Sequence, residues 1–166
     1  DFGIAKLIEN DPNAPDADQL TADGSYIGTP AYMSPEQIKA KPGLIDTRTD
    51  VYALGVILYE HFVGQHPQGE CESMLILMMK VNSDDPRPPR SINPGLDKDL
   101  EALLLKAIAR DPAERYATAG DLADDLQRYI DREPLLAQPQ TTAYVLRKKI
   151  AKHRAKFSIG VLLTLL

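Results

Sequence analysis

The sequence predicts a mainly α-helical fold. Apolar residues recur at helical spacing in several segments, and good capping residues stand directly before those segments. No stretch of alternating apolar and polar residues is long enough to be a convincing strand. With 166 residues, the chain is long enough for one domain with a buried core.

The first helix signal is the sequence Ser34-Pro35-Glu36-Gln37. Ser is a good N-cap, Pro suits the first helical position, and Gln at the third position can complete a capping box. We expect a short helix that ends near Pro42-Gly43. Residues 4–33 lack sustained periodicity and are rich in Asp, Asn, Pro, Gly and Ala, which is typical of a loop. A loop of this length in a compact domain is usually functional or disordered.

Residues 49–63 form the most apolar stretch of the first hundred residues. Their apolar side chains fall on every face, which predicts a helix buried on all sides. The segment is short for a membrane span and contains Asp50, Glu60 and His61, so it is predicted to be a core helix that ends at Gly64.

Three more helices are predicted in residues 72–81, 97–110 and 118–130. Asp97 is a plausible cap of the second, and Thr118 with Asp121 forms a capping box for the third. The first of the three carries Met74, Met78 and Met79, which we expect to fill the core; a docking face for a substrate or partner is the alternative.

Charge is divided unevenly along the chain. Residues 1–146 carry 13 basic and 24 acidic side chains, a net charge of −11, whereas residues 147–166 carry six basic and no acidic ones. An acidic folded unit argues against nucleic-acid binding, which needs a basic surface on the domain itself. The single cysteine, Cys71, excludes an internal disulfide and suits a reducing cytoplasm, and we expect a buried free thiol.

The C-terminal part is predicted to be a linker with a basic juxtamembrane segment over residues 132–156, followed by ten uncharged residues, 157–166. Ten helical residues span about 15 Å, half of a bilayer core of roughly 30 Å. Either a transmembrane helix starts here, or an apolar tail packs on the domain. In the first case the basic flank stays on the cytoplasmic face of the membrane. Because the chain starts on Asp1 and ends in an apolar run, we expect it to be a piece of a longer protein.

Four short motifs follow one another in a fixed order: Asp1-Phe2-Gly3, then Gly28 to Glu36 (GTPAYMSPE), Asp50 to Gly55 (DVYALG) and Arg110 to Tyr116 (RDPAERY). A single tripeptide is a weak signal, but four motifs in one order are a strong one. Together they resemble the bacterial serine/threonine protein kinases of eukaryotic (Hanks) type. The resemblance covers roughly residues 1–131 and implies the helical C-terminal lobe of the kinase fold, which is α+β when complete.

The resemblance implies ATP and Mg²⁺ as cofactors and gives the first motif its role. Asp1 would be the catalytic carboxylate that holds Mg²⁺ against the phosphates. Phe2 would pack inward and differ between active and inactive geometry, and Gly3 would let the backbone turn. The nucleotide-binding lobe, the catalytic-base Asp and a second metal-binding Asn would lie upstream, so this chain alone is expected to be inactive.

The activation segment would comprise residues 1–36, and its part from Gly28 to Met33 would form the substrate-binding wall. Gly28, Thr29, Pro30 and Tyr32 are similar to the residues that contact the substrate just beyond the phosphorylated hydroxyl. Thr29 would be a positioning group that bonds the catalytic Asp. The Gly-Thr-Pro-x-Tyr form resembles serine/threonine rather than tyrosine kinases, and Ser34 replaces the usual Ala of Ala-Pro-Glu.

The loop before that wall is expected to carry a phosphorylation switch. Residues 4–33 hold one base, Lys6, and five acids, so an added phosphate needs cations to order the loop. In similar kinases the activating phosphate stands at the position of Ser25, with a partner at the position of Lys6. Thr21 is the second candidate, and an ordinary loop hydroxyl is the alternative for Ser25.

Three charged residues have structural roles by resemblance. Glu36 and Arg115 would form a buried ion pair that ties the activation segment to the helical core; two solvated surface charges are the alternative. Asp50 would accept hydrogen bonds from the backbone of the catalytic loop, or would simply be an acid favoured at a helix N-terminus.

The resemblance therefore implies phosphorylation of protein serine/threonine hydroxyls by the full-length protein, with proteins as partners and a location at the cytoplasmic face of the membrane. A pseudokinase, or another non-catalytic membrane-anchored signalling module, is the alternative. The sequence leaves open whether two copies associate to phosphorylate one another.

Overall fold

A computed structural model of the chain describes residues 30–39 and 45–152. Within these ranges the regular structure consists of helices and two short 3₁₀ turns, Pro30–Tyr32 and Pro112–Glu114, with no strand. The prediction of a mainly α-helical fold is confirmed for this part of the chain. The helices are α1 (Pro35–Ile38), α2 (Arg48–Val63), α3 (Met74–Ser83), α4 (Pro89–Ile92), α5 (Lys98–Ala107), α6 (Ala119–Ile130) and α7 (142–152).

The predicted helix starts are present at α1, α5 and α6. The backbone N–H of Ser34 donates to Gln37 Oε1 at 2.9 Å, and Asp97 Oδ1 accepts from the first turn of α5 at 2.7 Å. Thr118 and Asp121 form a reciprocal capping box before α6. Each cap satisfies backbone donors that a helix start leaves unpaired. α1 ends at Ile38, earlier than predicted.

The core lies where α2 crosses α5. One cluster of buried side chains joins α2, α3 and α5, and a second joins α2, α5 and α6. The fully buried members include Val56 and Tyr59 of α2 and Leu103 and Leu104 of α5. Buried side chains of three other helices, α3, α5 and α6, therefore meet those of α2 in the core.

The expectation that α2 is buried on all sides is wrong in this structure. Ile57 is 51 % exposed and Leu54 is 41 % exposed, whereas Val51 and Val56 are inaccessible to solvent. An apolar side chain is buried only where a neighbouring element covers it, and the elements that pack on α2 in the described ranges leave one side of the helix open.

The core role predicted for the methionines of α3 holds for Met78 alone. Met78 is buried together with Leu77 and Val81, whereas Met79 is 63 % exposed and Met74 is also exposed. The helix packs on α1 and on the turn Pro30–Tyr32, and Leu77 and Val81 join the core cluster with α2 and α5; these contacts leave Met74 and Met79 exposed.

The chain continues to pack on the helices after residue 131. Leu135 is inaccessible to solvent, and the Asp125 carboxylate, also inaccessible, accepts hydrogen bonds from the backbone N–H groups of Leu136 (2.7 Å) and Ala137 (2.9 Å). The Tyr116 hydroxyl donates to the same carboxylate at 2.8 Å. The predicted linker is thus held on the domain at its start.

Within the described ranges, no helix is both long and apolar enough to cross a bilayer. The predicted transmembrane segment, residues 157–166, lies outside those ranges.

Gly55 of α2 lies close against the C-terminal end of α5. A Cβ atom built there would lie 2.7 Å from Ile108 Cγ2 and 2.8 Å from Ala107 Cβ. Both neighbours belong to the buried core, so neither can move aside freely.

We expect Gly55→Ala to lower the free energy of unfolding by about 1–3 kcal/mol, because the added methyl group overpacks the α2–α5 crossing. Gly120→Ala is the matched control: Gly120 is also helical, and its nearest neighbour to an added Cβ is Thr118 Oγ1 at 3.4 Å. The control should be neutral or stabilising by up to about 1 kcal/mol. Urea unfolding of the two variants measures both effects, and equal stability of the two would contradict the close crossing.

Candidate functional site

The structure brings Glu36 and Arg115 together, although 79 positions separate them in sequence. Arg115 Nη1 donates to Glu36 Oε1 at 2.7 Å, and Nη2 donates to Oε2 at 2.8 Å. Each residue is only 4 % exposed. Two parallel, charge-assisted hydrogen bonds of this kind fix both distance and orientation. They join α1 to the loop that precedes α6.

All five N–H donors of the Arg115 guanidinium have acceptors. Besides the two bonds to Glu36, Nε donates to the Ala109 carbonyl (2.7 Å), Nη1 to the Arg48 carbonyl (3.2 Å) and Nη2 to the Arg110 carbonyl (3.2 Å). The guanidinium also lies 4.9 Å from the ring centroid of Tyr52, close enough for a cation–π contact. A lysine, with three donors and no planar fork, could not make this set of contacts.

The Glu36 carboxyl is held in its ionised form. Burial alone would raise its pKa, but the hydrogen bonds and charge of Arg115 outweigh burial, and the pKa lies below its usual value. Thr49 Oγ1 donates a further hydrogen bond to Oε1 at 3.1 Å. The stabilisation is therefore present above the unfolded pKa of about 4.5 and is lost as the pH falls through the lower folded value.

Two side chains hold the turn that contains Pro30 and Tyr32. The Tyr32 hydroxyl donates to Glu60 Oε2 of α2 at 3.1 Å, which raises the tyrosine pKa. His66 Nε2 lies 3.0 Å from the Ala31 carbonyl oxygen. The turn is therefore fastened to α2 and to the loop that follows α2.

The hydrogen bonds of His66 select one neutral tautomer. A carbonyl oxygen can only accept, so Nε2 carries the proton, and Nδ1 accepts from the Gln68 backbone N–H at 3.1 Å. Burial lowers the pKa of His66, and the Ala31 carbonyl and the Glu60 charge only partly oppose this effect. Sequence reasoning gave His66 and Glu60 no role, because neither belongs to a recognised motif.

The other predicted site residues divide into those inside and those outside the described ranges. Asp50 lies in the first turn of α2, and it is exposed to solvent. Cys71, expected to be buried, is half-buried. In residues 30–39 and 45–152, no group of three or more His, Cys, Asp or Glu side chains could hold a metal ion. The predicted residues outside those ranges are Asp1, Phe2, Gly3, Lys6, Thr21, Ser25, Gly28 and Thr29.

Comparison with known proteins gives the class of this chain. The protein kinase domain family matches residues 1–126, which include the anchored turn, Glu36 and Arg115. The chain therefore belongs to the protein kinase domain family.

Individual relatives are named serine/threonine-protein kinases. The chain is 40 % identical over 134 residues to serine/threonine-protein kinase PknB of Mycobacterium tuberculosis. The matched segment covers 81 % of this chain and 20 % of the relative. It is 38 % identical over 134 residues to the PknB of Mycobacterium leprae, with the same coverage. It is 37 % identical over 132 residues to the probable serine/threonine-protein kinase PknB of Corynebacterium glutamicum, covering 77 % and 19 %. The chain spans about one fifth of the length of these relatives.

We expect Glu36→Gln and Arg115→Ala each to lower the free energy of unfolding by about 3–5 kcal/mol, because each leaves a buried partner unpaired. The double variant Glu36→Leu/Arg115→Leu should lose less than the sum of the two, because it leaves no charge behind. Urea unfolding measures all three.

The control for the buried pair is Asp85→Ala. Asp85 pairs with Arg110 at 3.9 Å, and both side chains are largely exposed, so its loss should change stability by less than about 1 kcal/mol. Strictly additive losses in the Glu36 and Arg115 variants would show that the two residues do not interact.

Lowering the pH should loosen the turn Pro30–Tyr32. Since the folded pKa of His66 lies below its unfolded value of about 6.5, the unfolded chain binds more protons in the window between them. His66 therefore contributes its full stability above about pH 6.5, and this contribution falls as the pH drops through the folded pKa. An NMR titration of the His66 ring should give a midpoint below 6.5.

The matching stability experiment compares the wild type with His66→Gln, whose amide keeps a donor and an acceptor but does not titrate. Unfolding midpoints from pH 5 to 7.5 should fall more steeply with acidification in the wild type. Parallel curves for the two proteins would show that His66 does not contribute to the pH dependence of stability.

Proposed function

We propose that the full-length protein transfers the γ-phosphate of ATP to serine or threonine hydroxyls of proteins. The observation that carries this proposal is the bidentate Glu36–Arg115 pair, which fixes the end of the activation segment on the helical core. Phosphoryl transfer depends mainly on positioning and charge stabilisation. A substrate wall can position a hydroxyl only if the wall is itself fixed.

The turn Pro30–Tyr32 supports the same proposal. Pro30 and Tyr32 lie in the segment assigned to the substrate wall, and their turn is fastened through Tyr32 to Glu60 and through Ala31 to His66. Gly28 and Thr29 would continue this wall towards the reacting phosphate, with Thr29 positioning the catalytic base.

In the first motif, Asp1 would hold Mg²⁺ against the β- and γ-phosphates, and the metal would neutralise charge on the transferred group. Phe2 and Gly3 would set whether that carboxylate reaches the metal. The catalytic base, supplied by the chain upstream of Asp1, would accept the proton of the attacking hydroxyl.

The loop before the wall would be the switch. A phosphate on Ser25, or on Thr21 as the second site, adds about −1.5 to −2 charges to a loop whose only base is Lys6. Pairing with Lys6 and with a cation beside the catalytic base would order the loop. Residues 157–166 would begin a membrane anchor that keeps the domain at the cytoplasmic face.

Phosphate transfer from radiolabelled ATP to proteins, measured with the full-length protein and Mg²⁺, tests the proposal. Asp1→Asn should lower the rate by about 100-fold or more, because it removes the metal carboxylate. Asp11→Asn is the control, because it removes an acid from the loop that follows the first motif and belongs to no motif itself. Its rate should stay within about twofold of the wild-type rate.

The result also separates the kinase from a pseudokinase. A wild-type protein that binds ATP but transfers no phosphate would overturn the proposal, as would an Asp1→Asn variant of undiminished rate. Mass spectrometry of the active protein should find phosphate on Ser25 or Thr21. Its absence from both residues would contradict the proposed phosphorylation switch.

A further inference from the structure

A cationic cavity lies between the end of α6 and helix α7, away from the turn Pro30–Tyr32. Its volume is about 520 Å³, and it is open to solvent. Six residues line it: Arg132, Glu133, Pro134, Lys148, Lys149 and Lys152. Four of the six carry positive charge and one carries negative charge; three of the four cations belong to the basic segment 147–166.

Arg132 lines this cavity, and its backbone has a left-handed conformation that favours glycine. Its φ is +58°, the only positive value at a non-glycine residue in the described ranges. The Arg132 N–H donates to the Tyr129 carbonyl and the Glu133 N–H to the Arg128 carbonyl, which is the Schellman pattern that ends many helices. Glycine is the usual residue at this left-handed position, because a Cβ atom is disfavoured there. Arg132 therefore stands in a backbone conformation that local preference disfavours for a residue with a Cβ atom.

Helix α7 supplies the other cations and is fixed in orientation by one of them. Lys148 forms an ion pair with Asp99 of α5, and both side chains are largely buried. Tyr144, one turn earlier, accepts a hydrogen bond from the Leu135 backbone N–H at 3.1 Å. These contacts place α7 so that Lys149 and Lys152 also line the cavity.

The carboxylate of Glu133 partly occupies the cationic site. Lys152 Nζ lies 2.6 Å from Glu133 Oε1, and the two side chains are 41 % and 43 % exposed. Exposed pairs of this kind are weak, so a ligand that carries more negative charge can displace the carboxylate. The ion pairs of residues 30–39 and 45–152 include neither Arg132 nor Lys149.

We propose that this cavity binds a phosphoryl group, with Arg132 and Lys149 as its main contacts and Lys152 exchanging from Glu133 to the ligand. A phosphate monoester carries close to two negative charges and several acceptor oxygens, which suits a guanidinium fork beside ammonium groups. A long polyanion would meet the acidic remainder of the domain, so a single phosphoryl group fits the charge distribution better. The group belongs either to a soluble phosphate or to a lipid headgroup. The site is independent of the proposed phosphate transfer.

Equilibrium binding to the detergent-solubilised full-length protein tests this site in two arms. One arm uses radiolabelled inorganic phosphate, and the other uses a radiolabelled short-chain phosphatidic acid. A non-hydrolysable ATP analogue with Mg²⁺ is present throughout to fill the proposed nucleotide site. Arg132→Gly and Lys149→Gln should each weaken binding about two- to fivefold, whereas Glu133→Gln should strengthen it by a similar factor.

Charge-matched controls separate the cavity from general electrostatics. Lys98→Gln removes an exposed positive charge and Glu72→Gln an exposed negative charge, both outside the cavity lining. Neither should change binding by more than about 1.5-fold. Arg132→Gly has a second readout: it should raise the melting temperature by about 2–4 °C while it weakens binding, because glycine relieves the left-handed position.

The outcomes are decisive in both directions. Variant-sensitive binding of inorganic phosphate assigns a soluble ligand, and variant-sensitive binding of phosphatidic acid alone assigns a headgroup. Binding in neither arm, or equal losses in Arg132→Gly and Lys98→Gln, would overturn the site. None of these results depends on phosphate transfer, so the proposed function stands or falls separately.

Discussion

The Glu36 carboxylate and the Arg115 guanidinium meet in the interior, and almost no water reaches either of them. Two charges taken out of water lose hydration worth several kcal/mol each, and their mutual attraction offsets this loss only when the geometry is good and the remaining donors are satisfied. Both conditions hold here, because every N–H of the guanidinium has an acceptor and Thr49 donates to the carboxylate. Because apolar residues can replace such a pair without loss of stability, we infer that this pair serves mainly to define a position. The position it defines is that of α1 and of the turn directly before it.

The parts of the fold that could be predicted from sequence are those that depend on local chemistry. The caps at Ser34, Asp97 and Thr118 need only residues within one turn, and all three helices begin where those caps stand. The narrow apolar stripe of α6 has one buried face, so its periodicity is unambiguous. The pairing of Glu36 with Arg115 is not local, and only resemblance to a family suggested it.

The errors at α2 and α3 have a common physical cause. A uniformly apolar helix such as α2 carries no information about which neighbours are present, so the exposure of Leu54 and Ile57 could not be read from its composition. The same holds for Met74 and Met79 of α3. His66 and Asp125 were missed for a different reason. Most of their hydrogen-bond partners are backbone groups, those of Ala31, Gln68, Leu136 and Ala137, and residue types do not reveal backbone partners.

Arg115 and its neighbour Tyr116 fasten two distant segments to the same short loop. Arg115 binds Glu36 of α1, and Tyr116 donates to Asp125, which in turn binds the backbone at Leu136 and Ala137. The position of α1 and the path of the backbone at Leu136 and Ala137 therefore depend on two consecutive residues. Because both residues are buried and their side-chain donors are paired, a shift of this loop would disturb both attachments together.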